Sequence, residues 1–264
     1  EAGMADKDRE ESLVLTETYL QQDQPDGVPP LELTGERTLP DVPEENYWYR
    51  RHLAVYEWIT ERCRGLEVVD LACGEGYGSD VLATTAADVI GVDANPEAYE
   101  HARARYRREN LSFRRELVES FDVPRDVIVF LQTIEHIQDP DALLSGFAKL
   151  APVAYISTPN LLTLAPEGAE KSDNPWHIKE YTLEEYRALL EPHFSQVEIL
   201  GLSHARRLRL HEHALSLGWD RVHESTGVTK RFYDWFTPAI DASDFRLSNT
   251  NLNSALDFIA VCHV

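Results

Sequence analysis

The amino-acid sequence predicts an α/β fold with a doubly wound, mostly parallel sheet. Seven short apolar segments have the length of strands, and amphipathic segments of helical length separate most of them. This alternation, with a glycine-rich turn directly after the first strand, is typical of sheets that carry helices on both faces. The predicted strands lie near residues 66–72, 88–93, 111–116, 126–131, 154–158, 196–202 and 255–263, and the predicted helices lie near 78–86, 95–108, 140–149 and 182–191.

Two acidic residues frame the glycine-rich turn. Asp70 stands in the first predicted strand, just before Gly74 and Gly76, and Asp93 ends the second strand. Parallel strands bring their carboxyl ends to one edge of a sheet, where ligands bind. Glycines let the backbone approach a ligand, and a carboxylate at the end of the second strand can accept hydrogen bonds from both hydroxyls of a ribose. The pattern predicts a site for a cofactor that contains a nucleoside.

The spacing of the glycines narrows the choice of cofactor. Gly74, Gly76 and Gly78 lack the G-x-G-x-x-G interval of dinucleotide folds, and no P-loop lysine follows them, so NAD and nucleoside triphosphates are disfavoured. The run Asp70-x-Ala72-x-Gly74-x-Gly76, with an acid at the end of the next strand, resembles motif I and the acidic loop of class I S-adenosylmethionine (SAM) methyltransferases. That family more often has glycine at the position of Ala72. A glycine-rich turn in an unrelated α/β protein is the alternative.

This resemblance has consequences for the fold and for the cofactor site. It implies a Rossmann-like sheet whose last strand inserts antiparallel between the fifth and sixth strands, and it implies SAM as the cofactor. Asp93 would hold the ribose, and the loop after the third strand would border the adenine. The implied cofactor-binding residues are Arg37, Asp70, Ala72, Cys73, Gly74, Gly76, Asp93, Ala94, Glu116, Leu117, Val118 and Gln132.

The charge of the chain restricts its partners. The chain has 25 Lys and Arg against 46 Asp and Glu, a formal net charge of −21. This balance repels polyanions, so we expect neither nucleic acid nor an anionic membrane as a partner; a small-molecule or carbohydrate acceptor fits better. Three cysteines at unrelated spacings, no bilayer-spanning apolar stretch and a charged first segment predict a cytoplasmic protein.

The organisation of the chain predicts one domain with additions. Residues 1–33 are acidic and rich in Gln, Pro and Asp, which predicts a partly disordered tail, and residues 34–264 are predicted to form a single domain. Periodic apolar residues predict a cap helix over residues 44–64, across the mouth of the cofactor site. Two stretches, 161–181 and 204–253, are additions to the minimal fold. Long excursions at this edge of a sheet carry substrate recognition, a lid or a homo-oligomer contact.

A cluster of candidate catalytic residues follows the fourth and fifth strands. Gln132, Glu135, His136 and the later His177 resemble the Glu-x-x-Glu-His sequence and downstream histidine of metal-dependent quinone O-methyltransferases and small-RNA 3′-end methyltransferases. The resemblance implies a divalent ion such as Mg²⁺ on these four residues, which would lower the pKa of acceptor hydroxyls. Gln132 replaces a glutamate, so the site loses one negative charge. Without a metal, His136 or His177 becomes the candidate general base, and a packing role for His136 stays open.

A wider resemblance suggests the acceptor. Segments in one order along the chain look like actinobacterial methyltransferases associated with methylated glucose polysaccharides, which implies O-methylation of a sugar hydroxyl. Three alternatives remain: a small-molecule N- or C-methyltransferase, a metal-dependent RNA 3′-end methyltransferase, which the net charge disfavours, and a SAM-binding protein without turnover. The matching segments are 33–38, 45–52, 73–78, 134–136, 157–160, 174–177 and 256–260.

Overall fold

The computed structural model of the 264-residue chain describes residues 19–35, 37–166, 168–216 and 235–264. Its strands are β1 (Glu67–Leu71), β2 (Asp88–Asp93), β3 (Leu111–Arg115), β4 (Val127–Phe130), β5 (Val153–Pro159), β6 (Gln196–His204), β7 (Phe245–Ser248) and β8 (Asp257–His263). Its α-helices are α1 (Asn46–Thr60), α2 (Tyr77–Leu82), α3 (Pro96–Arg105), α4 (Pro140–Leu150), α5 (Leu161–Leu164), α6 (Leu183–Leu190) and α7 (Arg206–Ser216). None of these helices has the length and apolarity needed to cross a membrane.

The strands form one doubly wound sheet in the order β3-β2-β1-β4-β5-β8-β6-β7. Strands β1 to β5 are parallel, and β8 lies antiparallel between β5 and β6. From β1 the strand order runs outward to β3 in one direction, and with β4 it resumes on the other side of β1. The carboxyl ends of β1 and β4 therefore flank the crevice in which α/β sheets bind ligands. The predicted doubly wound sheet and its antiparallel last strand are confirmed.

The predicted number of seven strands is wrong. The eighth strand, β7, forms within the stretch 204–253 and pairs antiparallel with β6, from Gly201 opposite Ser248 to His204 opposite Phe245. Phe245 and Leu247 alternate with Arg246 and Ser248, but this run has only four residues, the shortest length at which alternation indicates a strand, and only Phe245 is buried. Its conformation depends on pairing with the edge of β6. Residues 217–234 of the same stretch lie outside the described residues.

Apolar side chains cover both faces of the sheet. On one face, Phe147 of α4 and Tyr186 of α6 belong to a buried cluster with Phe130 of β4. On the other face, Ile59 of α1 and Leu82 of α2 belong to a second cluster. A parallel sheet needs this two-sided cover because both of its faces are apolar. The carboxyl edge stays open between the two layers of helices.

Residues 19–35 and 37–43 form an extended segment that we call the N-terminal strap. Residues 19–33, the described part of the predicted tail, pack against α3 and the glycine turn. The Gln21 amide donates to Pro40 O at 3.2 Å and to Glu75 Oε1 at 3.1 Å, and its oxygen accepts from Leu31 N at 3.1 Å. His101 Nδ1 lies 2.9 Å from Pro29 O. Side-chain bonds to backbone atoms thus order a proline-rich segment that has neither helical nor strand periodicity.

Gly78 makes room for the contact between α1 and α2. A Cβ atom built on Gly78 would lie 2.1 Å from Cζ of Tyr56, far inside van der Waals contact. Tyr56 is buried, so its ring has little freedom to move away. The third glycine of the turn is therefore required for packing of the cap helix and not for contact with a ligand.

We expect Gly78→Ala to destabilise the protein by about 2–3 kcal/mol or more through overpacking, measured by urea denaturation. Gly146→Ala in α4 is the matched control, because nothing lies within 4 Å of a Cβ at that position. The control should be neutral or gain up to about 1 kcal/mol from helix propensity. Equal effects of the two substitutions would contradict the packing role of Gly78.

Candidate active site

A cleft of about 710 Å³ opens at the carboxyl edge of the sheet. Its floor is formed by the ends of β1, β2, β4 and β5, and α1 and the N-terminal strap cover it. Most of the predicted site residues line this cleft. They are Arg37, Ala72, Cys73, Gly74, Asp93, Ala94, Leu117, Val118, Gln132, Glu135, His136 and His177.

Asp93 fixes the backbone of the glycine turn. Its Oδ2 accepts from Gly74 N at 2.8 Å, and its Oδ1 accepts from Asn95 N at 2.8 Å. Each carboxylate oxygen has a second lone-pair site, so Asp93 keeps acceptor capacity at the cleft wall. Gly74 and Ala72 have φ angles of +57° and +58°. Ala72 thus adopts a left-handed conformation that glycine tolerates better, as expected for a position where the resembling family more often has glycine.

Three predicted cofactor residues do not line the cleft: Asp70, Gly76 and Glu116. Asp70 lies behind the glycine turn, where it accepts from Ser79 Oγ at 2.7 Å and from Tyr56 OH at 3.2 Å. Burial raises the pKa of Asp70 to about 7. The reason for its position is the alternation of a strand, which directs the carboxylate into the protein. Asp70 therefore supports the turn from below.

Gly76 and Glu116 also stand away from the cleft wall. Gly76 begins α2 with φ +99°, and a Cβ there would lie 2.7 Å from Cβ of Ala102. It therefore lets α2 begin directly against α3. Glu116 follows β3 and lies 4.0 Å from Arg114. Leu117 and Val118, the next two residues, reach the cleft instead.

Glu75 is a structural residue that sequence reasoning missed. It lies inside the glycine turn with its side chain fully buried and accepts hydrogen bonds from several parts of the chain. The donors come from the strap, from α2 and from α3 with the residue after it: Gln21 Nε2, Tyr77 N, His101 Nε2, Arg105 Nη1 and Tyr106 OH, at 2.7–3.1 Å. An acidic residue between two glycines of a tight turn was the available signal. Glu75 joins the turn to the strap.

Glu135, His136 and His177 come together in the other half of the cleft. One ligand atom from each lies within 4.8 Å of the others, and the two imidazole rings stand edge to face with centroids 4.9 Å apart. The short 3-10 helix Ile134–His136 after β4 supplies the first two residues. The stretch 161–181 supplies His177, because the backbone oxygen of Glu135 accepts from Ile178 N and Lys179 N. Three of the four sequence-predicted metal ligands are thus brought together, and the fourth, Gln132, lines the same cleft.

Hydrogen bonds fix the orientation of both histidines. His136 Nδ1 lies 2.8 Å from Trp176 O, which can only accept, so Nδ1 carries the proton. His177 Nδ1 lies 2.6 Å from Glu180 Oε1 and donates in the same way. Both rings therefore carry their lone pair on Nε2, the form in which imidazole binds metals. Nε2 of His177 accepts from the Asn174 amide at 3.0 Å, and this amide would rotate away when a metal binds.

Glu135 is a buried acid with few hydrogen-bond donors. Its side chain is 1% exposed, and its Oε2 accepts from Thr158 Oγ1 at 3.2 Å. Burial raises the pKa of Glu135 to about 8, and Asp257 and Glu180 add to the rise. The nearest basic group is His136 Nε2, 4.0 Å from Oε1. A cation between these groups would stabilise the ionised carboxylate.

Gln132 lies between the two halves of the cleft. Its backbone N and its Nε2 each donate to Ser157 Oγ at 3.0 Å. Its φ of +50° is strained for a residue with a side chain, and such strain is concentrated at functional sites. The amide nitrogen is thus bonded to Ser157 on β5, and the amide oxygen is the atom that the predicted metal site requires as a ligand.

The two excursions differ in their relation to the cleft. The stretch 161–181 contributes Leu164, Asn174, Trp176 and His177 to its wall. The described residues of 204–253 do not line the cleft, and a role of this stretch in substrate recognition, as a lid or in an oligomer contact stays a prediction. They brace α1 instead: the Asn46 amide donates to the backbone oxygens of Thr237 and Ile240, and Tyr47 OH lies 2.8 Å from His204 Nε2.

A family model described as "Methyltransferase domain" matches residues 47–197. A probable S-adenosylmethionine-dependent methyltransferase of Mycolicibacterium smegmatis is 42% identical over 185 residues, which cover 67% of this chain and 71% of that protein. A protein of the same description from Mycobacterium tuberculosis H37Rv is 40% identical over 184 residues, 68% of this chain and 67% of that protein. The fold is similar to a SAM-dependent methyltransferase from Thermotoga maritima, described as a possible histamine N-methyltransferase, with a TM-score of 0.55 and 14% identity, covering 83% of this chain and 94% of that one.

Asp70 should make the stability of the protein depend on pH. The folded state keeps a proton on Asp70 up to about pH 7, whereas the unfolded carboxyl, with its ordinary pKa of 3.8, loses it at about pH 4. The stability that this group contributes is therefore full below about pH 4 and is lost as the pH rises to 7, at up to about 1.4 kcal/mol per pH unit.

The measurement is the difference in free energy of unfolding between wild type and Asp70→Asn from about pH 4 to pH 8. The wild type should lose stability relative to the variant up to about pH 7 and then level off. Glu45 and Glu135, whose pKa values are also raised by burial, are present in both proteins, so the difference isolates Asp70. A difference that does not change with pH would contradict the assignment.

Proposed function

The chain belongs to the S-adenosylmethionine-dependent methyltransferases, and from this premise we propose that it methylates a sugar hydroxyl with the help of a divalent metal ion. Family membership gives the enzyme class and the cofactor; the acceptor and the mechanism are the proposal. The observation that carries it is the cluster of Glu135, His136 and His177, with both Nε2 lone pairs set by hydrogen bonds, in the cleft that would hold SAM.

The cleft suits SAM in size and in chemistry. Its volume of about 710 Å³ lies within the usual range of ligand sites. Asp93 would accept hydrogen bonds from the ribose hydroxyls, and Leu117 and Val118 would flank the adenine. Arg37 lies over Gly74, with its Cβ 3.9 Å from the position of a Cβ on that glycine, and would bind the methionine carboxylate. When bound, SAM supplies an electrophilic methyl group on a sulfonium sulfur.

The metal-ligand cluster suits a divalent ion that accepts nitrogen ligands. Two imidazoles and one carboxylate form the donor set, and Glu180 and Trp176 O orient the imidazoles from behind. Mg²⁺ prefers oxygen ligands, so this set favours Mn²⁺, Co²⁺ or Zn²⁺. Three protein ligands leave coordination positions for the acceptor, whose hydroxyl would become more acidic at the ion.

The walls of the cleft favour a neutral, hydroxylated acceptor. The Trp48 and Trp176 side chains are 40% and 51% exposed although both line the cleft, so aromatic faces are available to the acceptor. Aromatic rings with a few convergent polar groups are typical of sites for small organic ligands. A sugar offers an apolar ring face for the tryptophans and adjacent hydroxyls for the ion. The net charge of −21 disfavours a polyanionic acceptor.

The residues of the chain mainly align the reactants. In the transfer, the bond from the acceptor oxygen to the methyl carbon forms while the carbon–sulfur bond breaks, and the hydroxyl proton leaves to solvent. Asp93 and the glycine turn would hold the methyl donor, and Glu135, His136 and His177 would hold the ion, which would supply a Lewis acid for the acceptor hydroxyl. Alignment of this kind can supply several kcal/mol of the barrier reduction.

The test is transfer of labelled methyl from SAM to a panel of glucose and mannose oligosaccharides, phenols and amines, with Mg²⁺, Mn²⁺, Co²⁺, Zn²⁺ or EDTA. We expect a sugar to be labelled, EDTA to abolish labelling, and Mn²⁺, Co²⁺ or Zn²⁺ to restore it better than Mg²⁺. His177→Ala should lose at least about 100-fold in rate, and Glu180→Gln about 10- to 100-fold, because the ring loses its orienting partner.

Calorimetric titration with SAM supplies the controls. His177→Ala and Glu180→Gln should bind SAM like wild type, whereas Asp93→Ala should lose at least about 10-fold in affinity together with transfer. If labelling continues in the presence of EDTA and also in the His177→Ala variant, the metal-dependent mechanism is wrong. Labelling of amines alone would identify an N-methyltransferase, and SAM binding without transfer to any acceptor would contradict the proposed function.

A further inference from the structure

One side of α1 faces the cleft and carries Trp48, Arg51, His52, Val55 and Tyr56. Spacings of three and four residues place these side chains in one stripe along the helix. Toward the carboxyl end of the helix, the Tyr56 hydroxyl donates to the carboxylate behind the glycine turn. In the other direction, Arg51 binds the carboxylate at the start of β8. Along α1, His52 lies between these two contacts, and it lines the same cleft as the metal-ligand cluster.

His52 differs from its neighbours in its hydrogen bonding. Among the described residues, neither ring nitrogen of His52 has a hydrogen-bond partner, whereas Arg51 and Tyr56 are both bonded. His52 is partly buried, and its ring nitrogens are not enclosed by the protein, so a molecule in the cleft can reach them. Because His52 lines the cleft, the missing partner can come from a ligand.

The imidazole of His52 is neutral at pH 7. Burial lowers its pKa to about 4; nearby Arg51 lowers it further, and Asp257 opposes the shift. A neutral ring has one nitrogen that accepts and one that donates a hydrogen bond. It also avoids the repulsion that an imidazolium would exert on the sulfonium of the cofactor. At the same time, a group of such low basicity is a poor general base near neutral pH.

We propose that His52 is a positioning residue that accepts a hydrogen bond from a hydroxyl group of the acceptor. The inference rests on the proposed function, since it assumes an acceptor bound at Glu135, His136 and His177. Those residues hold the acceptor from the floor of the cleft, and His52 holds it from the roof formed by α1. Two points of attachment on opposite walls fix the direction of the reacting oxygen, which in-line transfer requires.

The experiment compares His52→Phe with His52→Gln, using the sugar and the metal ion that support labelling by wild type. Phenylalanine fills the space without a hydrogen bond, whereas glutamine offers a neutral acceptor. We expect His52→Phe to lower kcat/KM for the sugar about 10- to 100-fold, mainly through KM, and His52→Gln to stay within about fivefold of wild type. The Kd for SAM and the pH profile of transfer between pH 6 and 9 should not change.

The exposed His263 provides the matched control, because His263→Phe makes the same exchange on the far end of β8 and should change nothing. Wild-type kinetics in His52→Phe would overturn the positioning role and leave the proposed function intact. An equal loss of kcat/KM in His52→Phe and His52→Gln, with a changed pH profile of transfer, would overturn the positioning role and identify His52 as a general base. Weakened SAM binding would make His52 a cofactor residue. Absence of transfer by wild type would overturn the proposed function and this inference with it.

Discussion

The fully buried carboxylate of Glu75 is the constraint on which the cofactor half of the cleft depends. A buried carboxylate costs several kcal/mol unless donors surround it, so the protein must bring donors to the glycine turn from elsewhere. They come from the strap, from the start of α2 and from α3 with Tyr106 after it. The strap also places Arg37 over Gly74, the residue before Glu75. The strap thus both supplies donors to Glu75 and forms part of the cleft wall. A substitution that disturbs the strap will therefore affect both the hydrogen bonding of Glu75 and the shape of the cleft.

Glu135, in the second half of the cleft, presents the opposite case. It is as deeply buried as Glu75, yet its one side-chain hydrogen bond within the described structure comes from Thr158, and its pKa is raised to about 8. The chain satisfies Glu75 with its own donors and leaves Glu135 beside two imidazoles whose lone pairs are already oriented. This contrast explains why the first acid is structural and why a cation is the natural partner of the second. His52, in the roof of the cleft, has no hydrogen-bond partner among the described residues, so a ligand can supply one.

The parts of the molecule that follow from local pattern could be predicted from the sequence. The alternation of apolar segments predicts the sheet, the glycine turn and Asp93 predict the cofactor edge, and the spacing of Glu135 and His136 places them after β4. Features that depend on distant partners could not be predicted. Strand β7 exists because β6 offers an edge, and the strap is ordered by side chains such as Gln21 and His101. The Glu180–His177 contact depends on how a loop folds back onto the 3-10 helix.

Diffraction from crystals grown with S-adenosylhomocysteine and Mn²⁺ would show whether the chain holds a metal ion beside the cofactor. An anomalous difference map measured at a wavelength where manganese scatters strongly would locate the ion. We expect one peak within about 2.0–2.3 Å of a Glu135 oxygen and of both Nε2 atoms, with the Asn174 amide rotated away from His177. A fully occupied cofactor site without a peak at these residues, and with Asn174 still bonded to His177, would contradict this expectation.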